Sequence, residues 1–125
     1  MQQQMSPLNI LVADDEKSTA KASCYILEHA GHKVDVVHDG QEALELLKNN
    51  PDKYQLLITD HSMPKMSGLQ FVENLLPTQF HGRIVVFSGY LTEDVECSFR
   101  NLGVRHFLKK PFDLKQLPNL AAQIA

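Results

Sequence analysis

The fold is decided by a short stretch, LNILVADD at residues 8–15, in which an apolar run ends in two carboxylates. Three further largely apolar runs end in polar residues, at 54–59 before Asp60, 83–87 before Ser88 and 104–109 before Lys110. Runs of this kind are typical of buried parallel strands that deliver polar side chains to one edge of a sheet. Because open α/β sheets place their chemistry at that edge, the four polar ends indicate a functional site.

The composition is that of a single globular domain. The chain has 125 residues, of which 43% are hydrophobic and 22% charged, enough for one core. The net charge of −3 without a basic block argues against direct nucleic-acid binding. No apolar stretch reaches the length of a membrane span. Residues 1–7 lack the regions of a signal peptide, so we expect a disordered leader, one domain at 8–125 and a cytoplasmic location.

Five strand-like runs alternate with helical segments. The strands are predicted at about 8–14, 33–37, 54–60, 83–88 and 104–110. The first helix is predicted at about 17–30, with an inner face of Thr19, Ala22, Ser23, Ile26, Leu27 and Ala30. Later helices begin near Gly40, Ser67, Thr92 and Asp113. This order predicts an α/β fold, a doubly wound five-stranded parallel sheet of order 2-1-3-4-5 with helices on both faces.

Three features carry less weight. The last helix is weak because Pro118 removes a backbone donor in its first turns. Cys24 and Cys97 fall on helices, opposite their apolar faces, and are expected to be free thiols. His29 and His32 would share a metal only if the turn between them arranged it, so a solvated helix end is the better interpretation.

In the predicted sheet, strands one and three are neighbours, so Asp14, Asp15 and Asp60 meet in one crevice. Two like charges about 4 Å apart repel by roughly 4 kcal/mol at an effective dielectric near 20, unless a cation joins them. Oxygen ligands without Cys or His favour Mg²⁺ first and Mn²⁺ second. Lys110 adds a positive charge. An aspartate after a strand is also a common helix cap, and Asp15 fits that role in part.

Two further inferences concern the chemistry. A metal, a lysine and the Ser88 hydroxyl are the groups that stabilise a transferring phosphoryl group. Asp60 stands alone at its strand end and is the candidate nucleophile, which would form an aspartyl phosphate.

The chain resembles the receiver domain of a two-component response regulator over about residues 8 to 117. The resemblance is carried by Asp14-Asp15, by DGQEAL at 39–44, by DHSMPKMSG at 60–68, by Ser88 and by KPF at 110–112. It implies the flavodoxin-like, CheY-like form of the predicted sheet. It also implies a phosphorylated signalling domain, not an enzyme, with at most slow self-catalysed phosphorylation and dephosphorylation.

The resemblance assigns roles around the acidic cluster. Asp60 would accept a phosphoryl group from a phosphohistidine on a sensor histidine kinase or a histidine phosphotransfer protein. Asp14 and Asp15 would hold Mg²⁺ together with Asp60 and the backbone carbonyl of Ser62. The downstream target, or a fused output domain, is not named by the sequence.

The resemblance also implies a switch. Ser88 would hydrogen-bond the phosphoryl oxygens, Lys110 would pair with them, and Phe107 would rotate inward as Ser88 moves. The surface formed by helix 4, strand 5 and helix 5 would then change its affinity for a protein partner, or for a second copy in a homodimer linked to phosphorylation. Phe107 is also compatible with a plain core aromatic.

Ser62 and Tyr90 depart from the usual family pattern. Both positions border the path of a water molecule that would attack the aspartyl phosphate. A bulky Tyr90 predicts a shielded and longer-lived phosphoryl group.

Two other functions fit the sequence less well. A haloacid-dehalogenase-type phosphatase also forms an aspartyl phosphate, but it places its nucleophile after strand one as Asp-x-Asp, whereas this chain has Asp14-Asp15-Glu16 and no cap domain. A receiver-like binding module that is never phosphorylated would not need the full set of Asp14, Asp15, Asp60 and Lys110. Nucleotide or flavin binding is disfavoured because no glycine-rich loop follows strand one.

Overall fold

The computed structural model describes residues 7–78 and 80–124. The strands are β1 Asn9–Ala13, β2 Lys33–Val37, β3 Leu56–Thr59, β4 Arg83–Ser88 and β5 His106–Lys109. The helices are α1 Lys17–His29, α2 Gly40–Asn49, α3 Gly68–Leu75, α4 Glu93–Asn101 and α5 Leu117–Ile124, the last preceded by a 3₁₀ turn at Leu114–Gln116. The predicted leader, residues 1–7, lies outside the described residues except for Pro7.

The strands form one parallel sheet of order β2-β1-β3-β4-β5. This confirms the predicted topology. Ala13 pairs with Val37 on one side and with Thr59 on the other. β1 and β3 therefore end at the same level, and the next residues, Asp14 and Asp60, leave neighbouring strands side by side.

The core lies on both faces of the sheet. Successive residues of a strand point to opposite faces, and β1 divides its apolar side chains accordingly. Leu11 and Ala13 pack in one cluster with Leu47, Phe71 and Phe99 from α2, α3 and α4. Ile10 and Val12 pack in the other with Leu27 of α1 and Leu117 and Ala121 of α5. The helices thus cover both faces, as predicted.

Side-chain caps mark the starts of α3 and α4. Ser67 accepts a hydrogen bond from the Gln70 N–H at 3.2 Å, and Thr92 accepts one from the Val95 N–H at 3.2 Å. These caps satisfy backbone donors that have no partner within the helix. Both residues were predicted to open their helices. Gly31 has φ 102° at the end of α1, a conformation that glycine adopts without strain.

Two sequence expectations were wrong. Ala30 is exposed, because α1 ends at His29 and Ala30 lies beyond its last turn, while Ala20 is fully buried instead. His32 does not belong to a solvated helix end; it is only 5% exposed. Its Nδ1 accepts the Leu8 N–H at 3.0 Å, and a buried backbone donor at the start of the sheet requires such a partner.

The expectation of free cysteines is confirmed, and the weakness expected of the last helix stays a prediction. α5 has 8 residues, with Pro118 at its second position. Cys24 and Cys97 are free thiols, half-buried and exposed respectively. Within residues 7–78 and 80–124, every helix is too short or too polar to cross a lipid bilayer.

Candidate functional site

Three aspartates meet at the carboxyl end of β1 and β3. Asp14 and Asp60 are 3% and 5% exposed, whereas Asp15 is exposed. Each offers a carboxylate oxygen that lies within 4.8 Å of the others. The local chain orients two of them, because Asp14 Oδ1 accepts the Glu16 N–H at 2.9 Å and Asp60 Oδ1 accepts the Ser62 N–H at 3.1 Å. The predicted convergence is present.

Lys110 follows β5 and completes the cluster. Its Nζ donates to Asp14 Oδ2 at 2.9 Å, to Glu16 Oε1 at 3.0 Å and to Asp60 Oδ2 at 3.1 Å. An ammonium group has three donors, and all three are used. Burial acts to lower the pKa of Lys110, but its hydrogen bonds to these carboxylates outweigh burial and raise the pKa above its usual value. The side chain is therefore charged at neutral pH.

The site holds more negative than positive charge. Asp14, Glu16 and Asp60 bind the ammonium of Lys110, and Asp15 lies beside the two other aspartates, so four carboxyl groups and one ammonium give a formal excess of three negative charges. Burial raises the pKa of Asp14, and the Lys110 hydrogen bond opposes that shift. An all-oxygen donor set with excess negative charge fits a hard divalent cation such as Mg²⁺.

A cavity of about 330 Å³ opens above the cluster. Among the described residues its wall is formed by Asp15, Glu16, Asp60, Ser62, Gly89, Tyr90 and Lys110. Tyr90 stands at the edge with 70% of its surface exposed. Asp60 is therefore nearly buried within the protein but still faces a space that a small group can enter.

Ser88 and Phe107 lie outside this cavity wall. Ser88 is fully buried, and its hydroxyl accepts the Tyr90 N–H at 3.2 Å. Phe107 is half-buried on β5, with its ring edge-on to Phe99 at 6.2 Å and the Arg100 guanidinium 4.8 Å from its centre. The structure places Ser88 at the predicted strand end, but with its hydroxyl engaged behind the cavity.

The loop after Asp60 is held by a close backbone approach at Gly68. The Gly68 N–H donates to the His61 carbonyl at 2.7 Å. A Cβ at this position would overlap the carbonyl oxygen of Asp60. Only glycine allows α3 to begin so near the phosphoacceptor candidate.

Sequence reasoning missed three residues that support the site. Glu16 binds Lys110, and the His38 Nδ1 donates to the Asp14 carbonyl at 3.0 Å. The His61 Nδ1 accepts the Leu69 N–H at 3.3 Å, and burial lowers the pKa of its imidazole. Position in the sequence could have flagged Glu16 and His61, since each directly follows a site aspartate. His38 has no such signal, because only the β1–β2 pairing brings it near.

The five-stranded parallel α/β sheet with an acidic cluster and a lysine at its carboxyl edge is the architecture of a known family of signalling domains. Residues 10–122 match the model of the response regulator receiver domain, so the chain belongs to that family.

Similar sequences and solved structures support the same family. The chain is 32% identical over 120 residues to the peroxide stress-activated histidine kinase mak3 of Schizosaccharomyces pombe, covering 91% of this chain and 5% of that protein. It is 28% identical to the chemotaxis protein CheY of Treponema pallidum, covering 95% of this chain and 83% of the relative. The CheX–CheY–BeF3–Mg²⁺ complex of Borrelia burgdorferi superposes with a TM-score of 0.85 at 25% identity, covering 95% of this chain and 91% of that one.

The family membership sets the coarse function. The chain is a receiver domain of the two-component response regulator type, and receiver domains are signalling domains, not classical enzymes. Its relatives include a histidine kinase, of which it spans a small part, as well as CheY-like proteins of similar length. The cluster of Asp14, Asp15 and Asp60 could bind a metal ion, as in receiver domains.

Proposed function

We propose that Asp60 accepts a phosphoryl group from a phosphohistidine on a sensor histidine kinase or a histidine phosphotransfer protein, in a reaction that requires Mg²⁺. The observation that carries the proposal is the position of Asp60, which lines an open cavity while its Oδ2 accepts from Lys110 at 3.1 Å. A carboxylate that faces solvent-accessible space beside a fixed cation is suited to a negatively charged donor group.

The chemistry follows from the groups around Asp60. A carboxylate oxygen forms a bond to phosphorus while the P–N bond of the phosphohistidine breaks, and the electron pair of that bond remains on the imidazole nitrogen, which takes a proton from water. Lys110 is close enough to pair with a phosphoryl oxygen. The Ser62 N–H, which donates to Asp60 Oδ1 at 3.1 Å, orients the carboxylate.

Mg²⁺, when bound, neutralises charge on the transferring phosphoryl group. Its proposed ligands are Asp14, Asp15, Asp60 and the backbone carbonyl of Ser62, with Mn²⁺ as a substitute. The formal excess of three negative charges among Asp14, Asp15, Glu16, Asp60 and Lys110 supports a cation here. The Borrelia burgdorferi relative, which was solved with BeF3 and Mg²⁺, supports the same choice of ion.

Phosphorylation would act on a switch at β4 and β5. A phosphoryl group adds negative charge and three acceptor oxygens. Ser88 would turn its hydroxyl from the Tyr90 N–H towards the phosphoryl group, and Phe107 would rotate into the space that Ser88 leaves. The surface of α4, β5 and α5 would then change its affinity for a protein target or for a second copy of the chain.

The test is intact-mass analysis after incubation with acetyl phosphate or phosphoramidate and Mg²⁺. We expect one phosphoryl adduct on the parent and on Asp52→Asn, an exposed control, but none on Asp60→Asn or after chelation of the metal. An adduct that persists in Asp60→Asn would refute the assignment. Rapid turnover of p-nitrophenyl phosphate by the parent would favour a phosphatase instead.

A further inference from the structure

Glu16 occupies the N-cap position of α1 without capping the helix. Its side chain accepts no backbone N–H of the first turn, and hydrogen bonds to the side chains of Thr19 and Lys110 lower its pKa. Ser, Thr, Asp and Asn are the residues that favour this position, because their short side chains reach the free N–H groups. The other helical segments with a described N-cap follow that rule, with Asp39, Ser67, Thr92 and Asp113 each accepting a backbone N–H. A residue that departs from a local preference beside a functional site calls for another role.

The Glu16 carboxylate reaches Lys110 instead. Oε1 accepts from the Lys110 Nζ at 3.0 Å, across 94 residues of sequence. The Glu16 side chain is 55% exposed, so burial does not force this contact. Glu16 is not one of the three aspartates whose oxygens form the candidate metal cluster.

The contact has a consequence for phosphorylation. All three donors of Lys110 are in use, so a hydrogen bond to a phosphoryl oxygen on Asp60 requires one existing bond to break. Leaving a buried carboxylate such as Asp14 unpaired costs far more than releasing an exposed one, which water can solvate. The bond to Glu16 is therefore the one that Lys110 gives up most readily.

We propose that Glu16 is a positioning residue that holds Lys110 in the unphosphorylated state and competes with the phosphoryl group for it. The inference rests on the proposed function of Asp60. Shortening or removing the Glu16 side chain should leave Lys110 free to meet the incoming phosphoryl group. We expect a gain in phosphorylation rate of about two- to fivefold, the range that the loss of one exposed ion pair implies.

The experiment compares phosphorylation rates with phosphoramidate and Mg²⁺ for the parent, Glu16→Ala, Glu16→Asp and Glu28→Ala. Glu16→Asp keeps the charge but is shorter by one carbon–carbon bond, about 1.5 Å, which separates it from Lys110. Aspartate is also a preferred N-cap, so the thermal midpoint of this variant should not fall. Glu28→Ala removes an exposed carboxylate from the same helix, roughly 18 Å further along its axis.

The inference is supported if Glu16→Ala and Glu16→Asp both react faster than the parent while Glu28→Ala matches it. If Glu16→Asp reacts at the parental rate, the charge of Glu16 matters and its contact with Lys110 does not, which overturns the proposal. Unchanged or slower rates in both Glu16 variants overturn it as well. Absence of any adduct on the parent would instead count against the function proposed for Asp60.

Discussion

The two ends of the parallel sheet hold their polar groups in opposite ways. Towards the amino end, two side-chain hydrogen bonds each join one donor to one acceptor. The Tyr54 hydroxyl donates to Asp35 Oδ2 at 2.5 Å, and the Asn9 N–H donates to Gln55 Oε1 at 2.8 Å. At the carboxyl end, a single ammonium, that of Lys110, is shared by three carboxylates.

This difference indicates that the polar groups at the amino end stabilise the fold, whereas those at the carboxyl end form the functional site. Lys53 Nζ lies 3.3 Å from Asp35 Oδ2 and balances its charge, so we expect the pairs at the amino end to contribute to stability. The carboxyl end concentrates acidic groups, and burial there raises the pKa of Asp14 against the opposing effect of its hydrogen bond to Lys110. Acidic groups are buried close together in this way mainly where a ligand binds or a reaction takes place. The following four substitutions test this difference between the two ends of the sheet.

The largest effect is expected from Lys110→Met, which removes the cation shared at the carboxyl end. Asp14 and Asp60 would be left buried without a cation beside them, and breaking a buried ion pair lowers the free energy of unfolding by about 3 kcal/mol. Millimolar Mg²⁺ should restore part of the loss, because it would replace the ammonium. Urea denaturation with and without Mg²⁺ measures both effects.

The control for this change is Lys65→Met. Lys65 pairs with Asp39 at 3.7 Å, and its side chain is 67% exposed, so we expect a change below about 0.5 kcal/mol. If Lys110→Met and Lys65→Met lowered the free energy of unfolding equally, Lys110 would contribute no more to stability than an exposed lysine does.

Tyr54→Phe is expected to have the next largest effect, at the amino end. It removes the hydroxyl that binds Asp35 and should lower the free energy of unfolding by about 1 kcal/mol. The rate of phosphorylation by phosphoramidate should stay at the parental value. Tyr25→Phe, at a position 69% exposed, serves as the control without a stability change. A slower phosphorylation rate in Tyr54→Phe would mean that the two ends are coupled.

Tyr90→Ala should change function and leave stability almost unaltered. Tyr90 is 70% exposed and lines the cavity with Asp60, so its removal opens a path for water to the aspartyl phosphate. We expect a severalfold shorter phosphoryl lifetime, followed by intact mass after the donor is removed. The same decay rate in parent and variant would rule out shielding by this ring.

The smallest expected effect is a pH dependence at the amino end. Burial lowers the pKa of His32 in the folded protein, so the unfolded chain takes up a proton first as the pH falls. The stabilising contribution is complete above the unfolded pKa, about 6.5, and declines below it. His61, whose pKa is also lowered by burial, adds a slope of the same sign.

The measurement for His32 is the free energy of unfolding between about pH 7 and 5. We expect a decline in the parent, a flatter profile in His32→Gln and a parental slope in His29→Gln, since His29 is exposed. A parental slope in His32→Gln would assign the decline to His61 or to other groups.

Much of this molecule was predictable from sequence because its signals are local. The apolar runs before Asp14, Asp60 and Lys110 indicated both the strands and their carboxyl ends, and caps such as Ser67 marked the helix starts. The exposure of Ala30 and the burial of His32 were not predictable, since each depends on how a segment packs against another part of the chain.

By itself, the sequence determined the parallel α/β fold and the meeting of Asp14, Asp15, Asp60 and Lys110, because strand periodicity and the right-handed crossover rule leave little choice of topology. Only the tertiary structure decided which carboxylates accept the three hydrogen bonds of the Lys110 ammonium, and that Glu16 is one of them. Hydrogen bonds depend on distances of a few tenths of an ångström, and those are set when distant segments pack together.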